Sequence, residues 1–214
     1  MKYKHIIWDW NGTLLDDRWL CVEAINHALK KRNLDIITEE KYQTVFCFPV
    51  ENYYKSVGFD FTKEPFHVAG DEFVAYYGEN FYKVDLHQDA LHVLEELEQS
   101  GITQSVLSAG KNDFLLDWIQ NHNLSRFFIK VMGIDNQYAT GKKALGMKWI
   151  NELDYDPSEV VMIGDTIHDS DVAEAMNIDC VLVDNGHVNR QRLVTTKRKV
   201  VSGLMEFLSY IDKP

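Results

Sequence analysis

From residue 85 onward the chain alternates short apolar runs with amphipathic stretches. In order these are "DALHVLEELEQSG", "TQSVLSAG", residues 113–122, "FIKVMGI", "KKALGMKWINEL", "EVVMIGD", "HDSDVAEAMN" and "DCVLVDNG". Runs this short, apolar without polar alternation, suit strands buried on both faces. Helical segments between them supply the crossovers that parallel pairing requires. "HIIW" near the N-terminus is a further run of the same kind. The expected fold is therefore α/β, a Rossmann-like parallel sheet with helices on both faces. Ligands in such sheets bind beyond the carboxyl ends of the strands, so the residues that follow each strand are the ones to weigh.

The stretch between the first strand and residue 84 has a different texture. Residues 17–33 place Trp19, Val22, Ile25 and Leu29 at helical spacing, with Asp16 or Asp17 available as a cap. Thr38, with Glu39 and Glu40 after it and Lys41 three residues on, opens a second helix. Aromatic-rich helices are expected over 50–57 and 68–82. No strand alternation occurs in this block. The expected division is a core of residues 1–16 and 84–214, with 17–83 inserted as a small helical unit.

Charge narrows the function. A formal net charge of −11 argues against general nucleic-acid binding and against docking on an anionic membrane. An anionic ligand would need its cations concentrated locally. Cys21, Cys47 and Cys180 are scattered, with no CxxC spacing, and read as reduced thiols in a cytoplasmic protein. The opening apolar run is too short for a signal-peptide core, and no stretch approaches the ~20 apolar residues of a membrane span.

At the strand ends stand Asp9, Ser108 and Gly164-Asp165, with Asp169 one helical turn further. Lys142 and Lys143 open the helix near residue 143, and Gly146, four positions after Lys142, favours Lys142. Each acid alone reads as a turn or cap residue. Their coincidence on one rim does not. The set Asp9-x-Asn11-Gly12-Thr13, Ser108, Lys142 and Gly164-Asp165-x-x-x-Asp169 resembles the four motifs of the haloacid dehalogenase superfamily. The helical insertion resembles the small α-helical cap of its phosphoglycolate-phosphatase-like and phosphoglucomutase-like members. The likeness covers nearly the whole chain in order and spacing.

The resemblance implies phosphoryl transfer through an aspartyl-phosphate on Asp9. It implies Mg2+, held by Asp9, Asp165 and the main-chain carbonyl of Asn11, with Asp169 binding a metal-bound water or orienting Asp165. Ser108 would donate to a phosphoryl oxygen and Lys142 would neutralise developing charge. Gly12, Thr13, Ala109 and Gly110 complete the expected substrate-binding set; Gly12 suits a turn with positive φ or close approach, and Thr13 satisfies backbone groups of that turn. The expected partner is a small phosphorylated metabolite, bound by a monomer or homodimer.

Asn11 departs from the family pattern, which has a second aspartate there as general acid and base. An amide has no titratable proton, and losing such a group costs ~10²–10⁴-fold in rate. The cost is smallest for leaving groups that need no proton, such as acyl or aryl phosphates. His168, Asp16 and Asp17 are candidate replacements. The alternatives are a phospho-ligand-binding protein without turnover, a dehalogenase, or a phosphonate-cleaving member using Lys55 or Lys63. Of the cap aromatics, most are expected to be packing; the loop at Cys47-Phe48-Pro49 is expected to face the site. The basic stretch "GHVNRQRLVTTKRK" reads as solvated surface.

Overall fold

The computed structural model describes residues 2–134 and 141–211. Its sheet begins with β1 (His5–Trp8), followed by four helices: α1 (Arg18–Lys31), α2 (Glu39–Val45), α3 (Val50–Ser56) and α4 (Phe66–Asn80). The chain then runs through α5 (Ala90–Gln99), β2 (Thr103–Lys111), α6 (Asn112–Asn121), β3 (Lys130–Ile134) and α7 (Lys142–Glu152). It ends with β4 (Val160–Gly164), α8 (Ile167–Met176), β5 (Asp179–Val183), α9 (Arg190–Leu193), β6 (Lys199–Val201) and α10 (Leu204–Ile211). Residues 135–140, part of the segment ahead of Lys142, lie outside the described residues.

The six strands form one sheet in the order β3-β2-β1-β4-β5-β6, with every pair parallel. β1 is central, pairing Trp8 with Val106 on one side and with Ile163 on the other. Successive residues of β1 face opposite layers. Ile6 and Trp8 join one hydrophobic cluster with Val93 and Leu97 of α5, Trp118 of α6 and Phe207 of α10. Ile7 joins a second cluster with Trp149 of α7, Val172 and Met176 of α8 and Leu193 of α9. A strand buried on both faces has no polar alternation to show, which is why "HIIW" reads as an unbroken apolar run.

Topology sets the site. The chain builds β2 and β3 on one side of β1, then returns to place β4 on the other. The order reverses at the β1/β4 boundary, and the carboxyl ends of those strands border the crevice where α/β sheets bind ligands. Helices α1–α4 pack around a cluster of their own that includes Ile25, Leu29, Tyr42, Tyr53, Tyr54 and Phe59. Thr38 caps α2 as its sequence predicts, accepting a hydrogen bond from the Lys41 N–H. Asp17 does not cap α1; its side chain turns to other partners, described below. The fourth helix begins at Phe66, two residues earlier than the aromatic pattern suggests. All three cysteines are free. Among the described residues no helix is long and apolar enough to cross a membrane.

The basic tail is more structured than its composition suggests. It carries α9 and leads into β6, and His187, Val188 and Leu193 within it are buried, as are Val200 and Val201 just after it. Arg192 donates from Nη1 to the Gln43 and Phe46 carbonyls at 3.0 and 2.7 Å, tying this segment to the helical insertion.

Gly146 lets α7 lie close on its neighbours: a Cβ there would come 2.8 Å from Met176 Sδ and 3.0 Å from Leu107 Cδ2. Gly146→Val is therefore expected to overpack this contact, costing about 1–3 kcal/mol of stability in a urea titration and displacing α7 with the lysine at its start.

Candidate active site

Three acids meet at the carboxyl edge of the sheet. Asp9 follows β1, Asp165 follows β4, and Asp169 stands on the first turn of α8. All three are buried, and one carboxylate oxygen from each lies within 4.8 Å of the other two. The Lys142 side chain, 2% exposed, inserts its ammonium between Asp9 and Asp169, donating to Asp169 Oδ1 at 2.5 Å and to Asp9 Oδ1. Lys143 is exposed, so the tertiary structure selects Lys142.

Each carboxylate is also held by neutral donors. Asp169 Oδ2 accepts from the Thr166 hydroxyl at 2.7 Å and the Thr166 N–H at 3.0 Å, a reciprocal cap on α8. Asp165 Oδ2 accepts from the His187 N–H at 2.5 Å. Thr13 Oγ1 lies 3.1 Å from Asp165 Oδ1 and 3.3 Å from Asp9 Oδ2, so its hydroxyl links two acids rather than serving only the local turn. Gly12 has φ +75°, and a Cβ there would overlap the Asp165 and His187 side chains. Neither Gly12 nor Thr13 lines the adjoining cavity, whereas Ala109 and Gly110 do.

Electrostatically the cluster sets one ammonium against three carboxylates. Burial, then the nearby Asp169 charge, push the Asp9 carboxyl well above its ordinary range, against the pull of Lys142. Burial opposes ionisation of Asp169 too, but Lys142 and Thr166 hold it below its usual range. Lys142 is raised despite its burial, because Asp169 and Asp9 favour the ammonium. Hard, buried carboxylate oxygens with unbalanced negative charge fit a small divalent cation such as Mg2+, whose preferred donors are oxygen. Asp9 and Asp165 would hold it, with Asp169 beside them.

Ser108 is buried inside β2, which runs on to Lys111 rather than ending at the hydroxyl as the apolar run suggests. Its Oγ donates to Asn11 Oδ1 at 3.3 Å, and the Gly110 N–H donates to it at 2.9 Å. Asn11 Nδ2 donates to Asp17 Oδ2 at 2.7 Å and to the Tyr77 hydroxyl at 3.1 Å. Asp17 itself is buried and saturated: the Gly12 N–H donates to Oδ1 at 2.9 Å, and the Tyr77 hydroxyl donates to Oδ2 at 2.8 Å. His187 Nε2 stands 3.2 Å from Asp17 Oδ1, and Nδ1 stands 3.0 Å from the Tyr42 hydroxyl. An amide suits this position. A carboxylate at residue 11 would face the Asp17 carboxylate across a hydrogen-bond distance in a buried setting.

Of the candidate replacements for a missing acid, Asp17 is thus the one in contact with Asn11. Asp16 is exposed. His168 does not line the cavity; its ring packs on Phe48 with centroids 4.7 Å apart. Burial would raise Asp17, yet His187, Asn11 and Tyr77 hold it below its ordinary range, so it stands ionised.

The sequence reading missed His187, Tyr42 and Tyr77. His187 follows β5 and so stands at the same rim as the motif residues; the basic residues after it drew that segment into a surface reading. Tyr77 lies in the aromatic α4 and was classed with packing. Phe48 lines the cavity as expected for its loop, and Cys47 does not.

Comparison with known proteins accords with this geometry. The family model "Haloacid dehalogenase-like hydrolase" matches residues 6–183. The chain belongs to the haloacid dehalogenase-like hydrolases. It is similar to a phosphoglycolate phosphatase of Vibrio parahaemolyticus, with 22% identity over 186 residues, covering 83% of this chain and 81% of the relative. A phosphoglycolate phosphatase of Vibrio vulnificus is 26% identical over 114 residues, a match spanning 52% of this chain and 49% of that protein. Among solved structures, a haloacid dehalogenase-like family hydrolase from Streptococcus pneumoniae superposes with TM-score 0.85 at 19% identity, covering 99% of both chains. A predicted phosphoglycolate phosphatase from Haemophilus somnus gives TM-score 0.80 at 18% identity, again covering 99% of both.

Two outcomes follow from the charges. Removing the cluster's ammonium leaves carboxylates uncompensated, so Lys142→Met is expected to destabilise the metal-free protein by about 3 kcal/mol, with added Mg2+ raising the melting temperature of the variant. His187 is the second case. Burial lowers its pKa, but Asp17 and then Asp165 outweigh this and raise it from 6.5 to about 9. Its contribution, about 3 kcal/mol at most, is fully present below pH 6.5 and declines as pH rises to 9. Urea unfolding at pH 6 and pH 9 should show this loss in the natural protein and a flatter profile in His187→Gln.

Proposed function

We propose that the protein is a magnesium-dependent phosphatase acting on a small phosphorylated metabolite through an aspartyl-phosphate on Asp9. The observation that carries this reading is the grouping of Asp9, Asp165, Asp169 and Lys142 in one buried cluster, with Ser108 bonded to Asn11, two residues from Asp9. A bound divalent cation would offset the repulsion between a phosphoryl dianion and the Asp9 carboxylate.

The chain's own residues supply the remaining parts. Asp9 presents a carboxylate oxygen to phosphorus. Lys142 stands against it and balances charge that develops on the phosphoryl oxygens. The Ser108 hydroxyl, held by the Gly110 N–H, donates to Asn11 Oδ1 and would redirect that long bond to a phosphoryl oxygen. Asn11 orients but carries no proton to transfer, and Asp17 behind it is an acceptor already filled by five donors or near neighbours. The enzyme is therefore a leaving-group-selective one, and its second step, attack of water on the aspartyl-phosphate, proceeds without the family's base.

The sister chemistries are less well supported. A dehalogenase needs no cation and has no use for the Asp165–Asp169 arrangement. A Schiff-base mechanism needs a cap lysine in the site. Lys55 and Lys63 are exposed, paired with Glu51 and Asp60, and neither lines the cavity.

A rapid-quench experiment with phenyl phosphate and Mg2+ tests the reading. The expected result is a burst approaching one phenol per active site, followed by a slower steady rate as the phosphoryl-enzyme hydrolyses. EDTA should abolish both phases, and Asp9→Asn should abolish the burst. A preparation that releases no phenol and acquires no phosphate on Asp9 would point instead to a phospho-ligand-binding protein.

A further inference from the structure

The cavity beside Asp9 is notable for what lines it. It holds about 210 Å³ and runs from Asp9 and Lys142 at its floor into the helical insertion. Its walls are largely aromatic and aliphatic, with Phe46, Phe48, Phe66, Phe73, Val74 and Phe114 among them. A cavity of about 150 Å³ with such walls accepts benzene, so this one has room for a single aromatic ring and a substituent. Its cations are committed: Lys142 to Asp9 and Asp169, and His187 to Asp17. Lys111, the other lining cation, is exposed and only loosely paired, 3.9 Å from the exposed Asp113 and 5.2 Å from the Phe114 ring. A leaving group bearing its own carboxylate would find only the exposed Lys111 to neutralise it, and none of the buried cations.

One lining residue carries a buried polar atom without a partner. The Tyr53 hydroxyl is buried, on a residue 2% exposed that lines the cavity, and makes no hydrogen bond among the described residues. A buried hydroxyl left unpaired costs about 1–3 kcal/mol, and a ligand oxygen or nitrogen reaching it would remove that cost.

A third observation is independent of the cavity: the residue at position 11 is an amide. An alkyl ester expels an alkoxide about as basic as hydroxide, whereas a phenol ionises near 10, against about 15.7 for water. A site without a proton donor at residue 11 handles the second far better than the first.

Resting on the phosphatase reading, we infer that the site takes a phosphate monoester of an aromatic alcohol, its ring seated among the cap aromatics and a polar ring substituent hydrogen-bonded to Tyr53. In the first step an Asp9 carboxylate oxygen bonds to phosphorus while the bond from phosphorus to the aryl oxygen breaks. That bond's electron pair leaves with the phenolate, which takes a proton from water. In the second, the oxygen of water bonds to phosphorus, the bond to Asp9 breaks with return of its electron pair, and the water proton passes to solvent.

Two measurements test this. Calorimetric dissociation constants for benzylphosphonate and phosphonoacetate report the cavity's preference free of any difference in leaving-group reactivity. Benzylphosphonate is expected to bind at least tenfold tighter. Steady-state kinetics with phenyl phosphate, 4-hydroxyphenyl phosphate and 2-phosphoglycolate then read the chemistry. The kcat/KM for phenyl phosphate should exceed that for 2-phosphoglycolate by about 10²-fold or more, and Asn11→Asp should narrow this gap. Tyr53→Phe should lower the preference for 4-hydroxyphenyl over phenyl phosphate about tenfold, chiefly through KM. Equal or tighter binding of phosphonoacetate, or turnover of 2-phosphoglycolate matching phenyl phosphate, overturns the aromatic assignment while leaving a phosphatase in place. An unchanged preference in Tyr53→Phe overturns the role of that hydroxyl. Absence of turnover with every ester, and of phosphate on Asp9, overturns the phosphatase reading itself and the inference with it.

Discussion

The Lys142 ammonium, buried between the Asp9 and Asp169 carboxylates, is the contact on which the site depends. Removing ions of this kind from water costs several kcal/mol each, and only close pairing with further hydrogen bonds offsets it. Much of the surrounding structure supplies such bonds: Thr13 to Asp9 and Asp165, Thr166 to Asp169, the His187 N–H to Asp165. Even so, one ammonium faces three carboxylates, and Asp9 is pushed toward its neutral form. A site in that condition would gain from a divalent cation in two ways, through charge balance and through return of Asp9 to its ionised state.

The sheet explains why this arrangement is rigid. Asp9 and Asp165 extend adjacent, fully buried strands whose register is set by pairs such as Trp8 with Ile163. Lys142 arrives from α7, which Gly146 allows to pack closely on Leu107 and Met176. The helical insertion is joined to the same floor by polar contacts. Asn11 donates to Tyr77 of α4, Tyr42 of α2 meets His187 beyond β5, and Arg18 of α1 donates to the Asn185 carbonyl at 2.6 Å. The amide is part of this network, since it supplies Asp17 with a donor where an aspartate would set two carboxylates against each other.

Much of the core was legible in the sequence because period and punctuation were strong. Unbroken apolar runs such as "EVVMIGD" suit strands buried on both faces, and the residues that end them lie at the ligand-binding edge by topology alone. The insertion's helices were legible as helices but not as walls, because aromatic spacing such as Phe66, Phe73 and Tyr77 looks alike whether a ring packs inward or lines a cavity. The tail was harder still. β6 has three residues, too few to show a period, and the arginines and lysines around it drew attention from the buried Leu193, Val200 and Val201.

The order of the motifs and the chemical type of each residue are properties of the sequence by itself. A carboxylate after one strand, a hydroxyl in the next, paired acids after a third and an amide at residue 11 already define what groups are available. Only the folded chain decided which lysine is buried, that Thr13 spans two acids, and that His187 and Tyr77 stand behind the amide. It also decided that Tyr53, whose buried hydroxyl has no partner among the described residues, lines an apolar cavity. Strand order and residue type are written in local pattern. Contacts between positions such as 11 and 77, or 17 and 187, arise only when distant elements pack, and no local period encodes them.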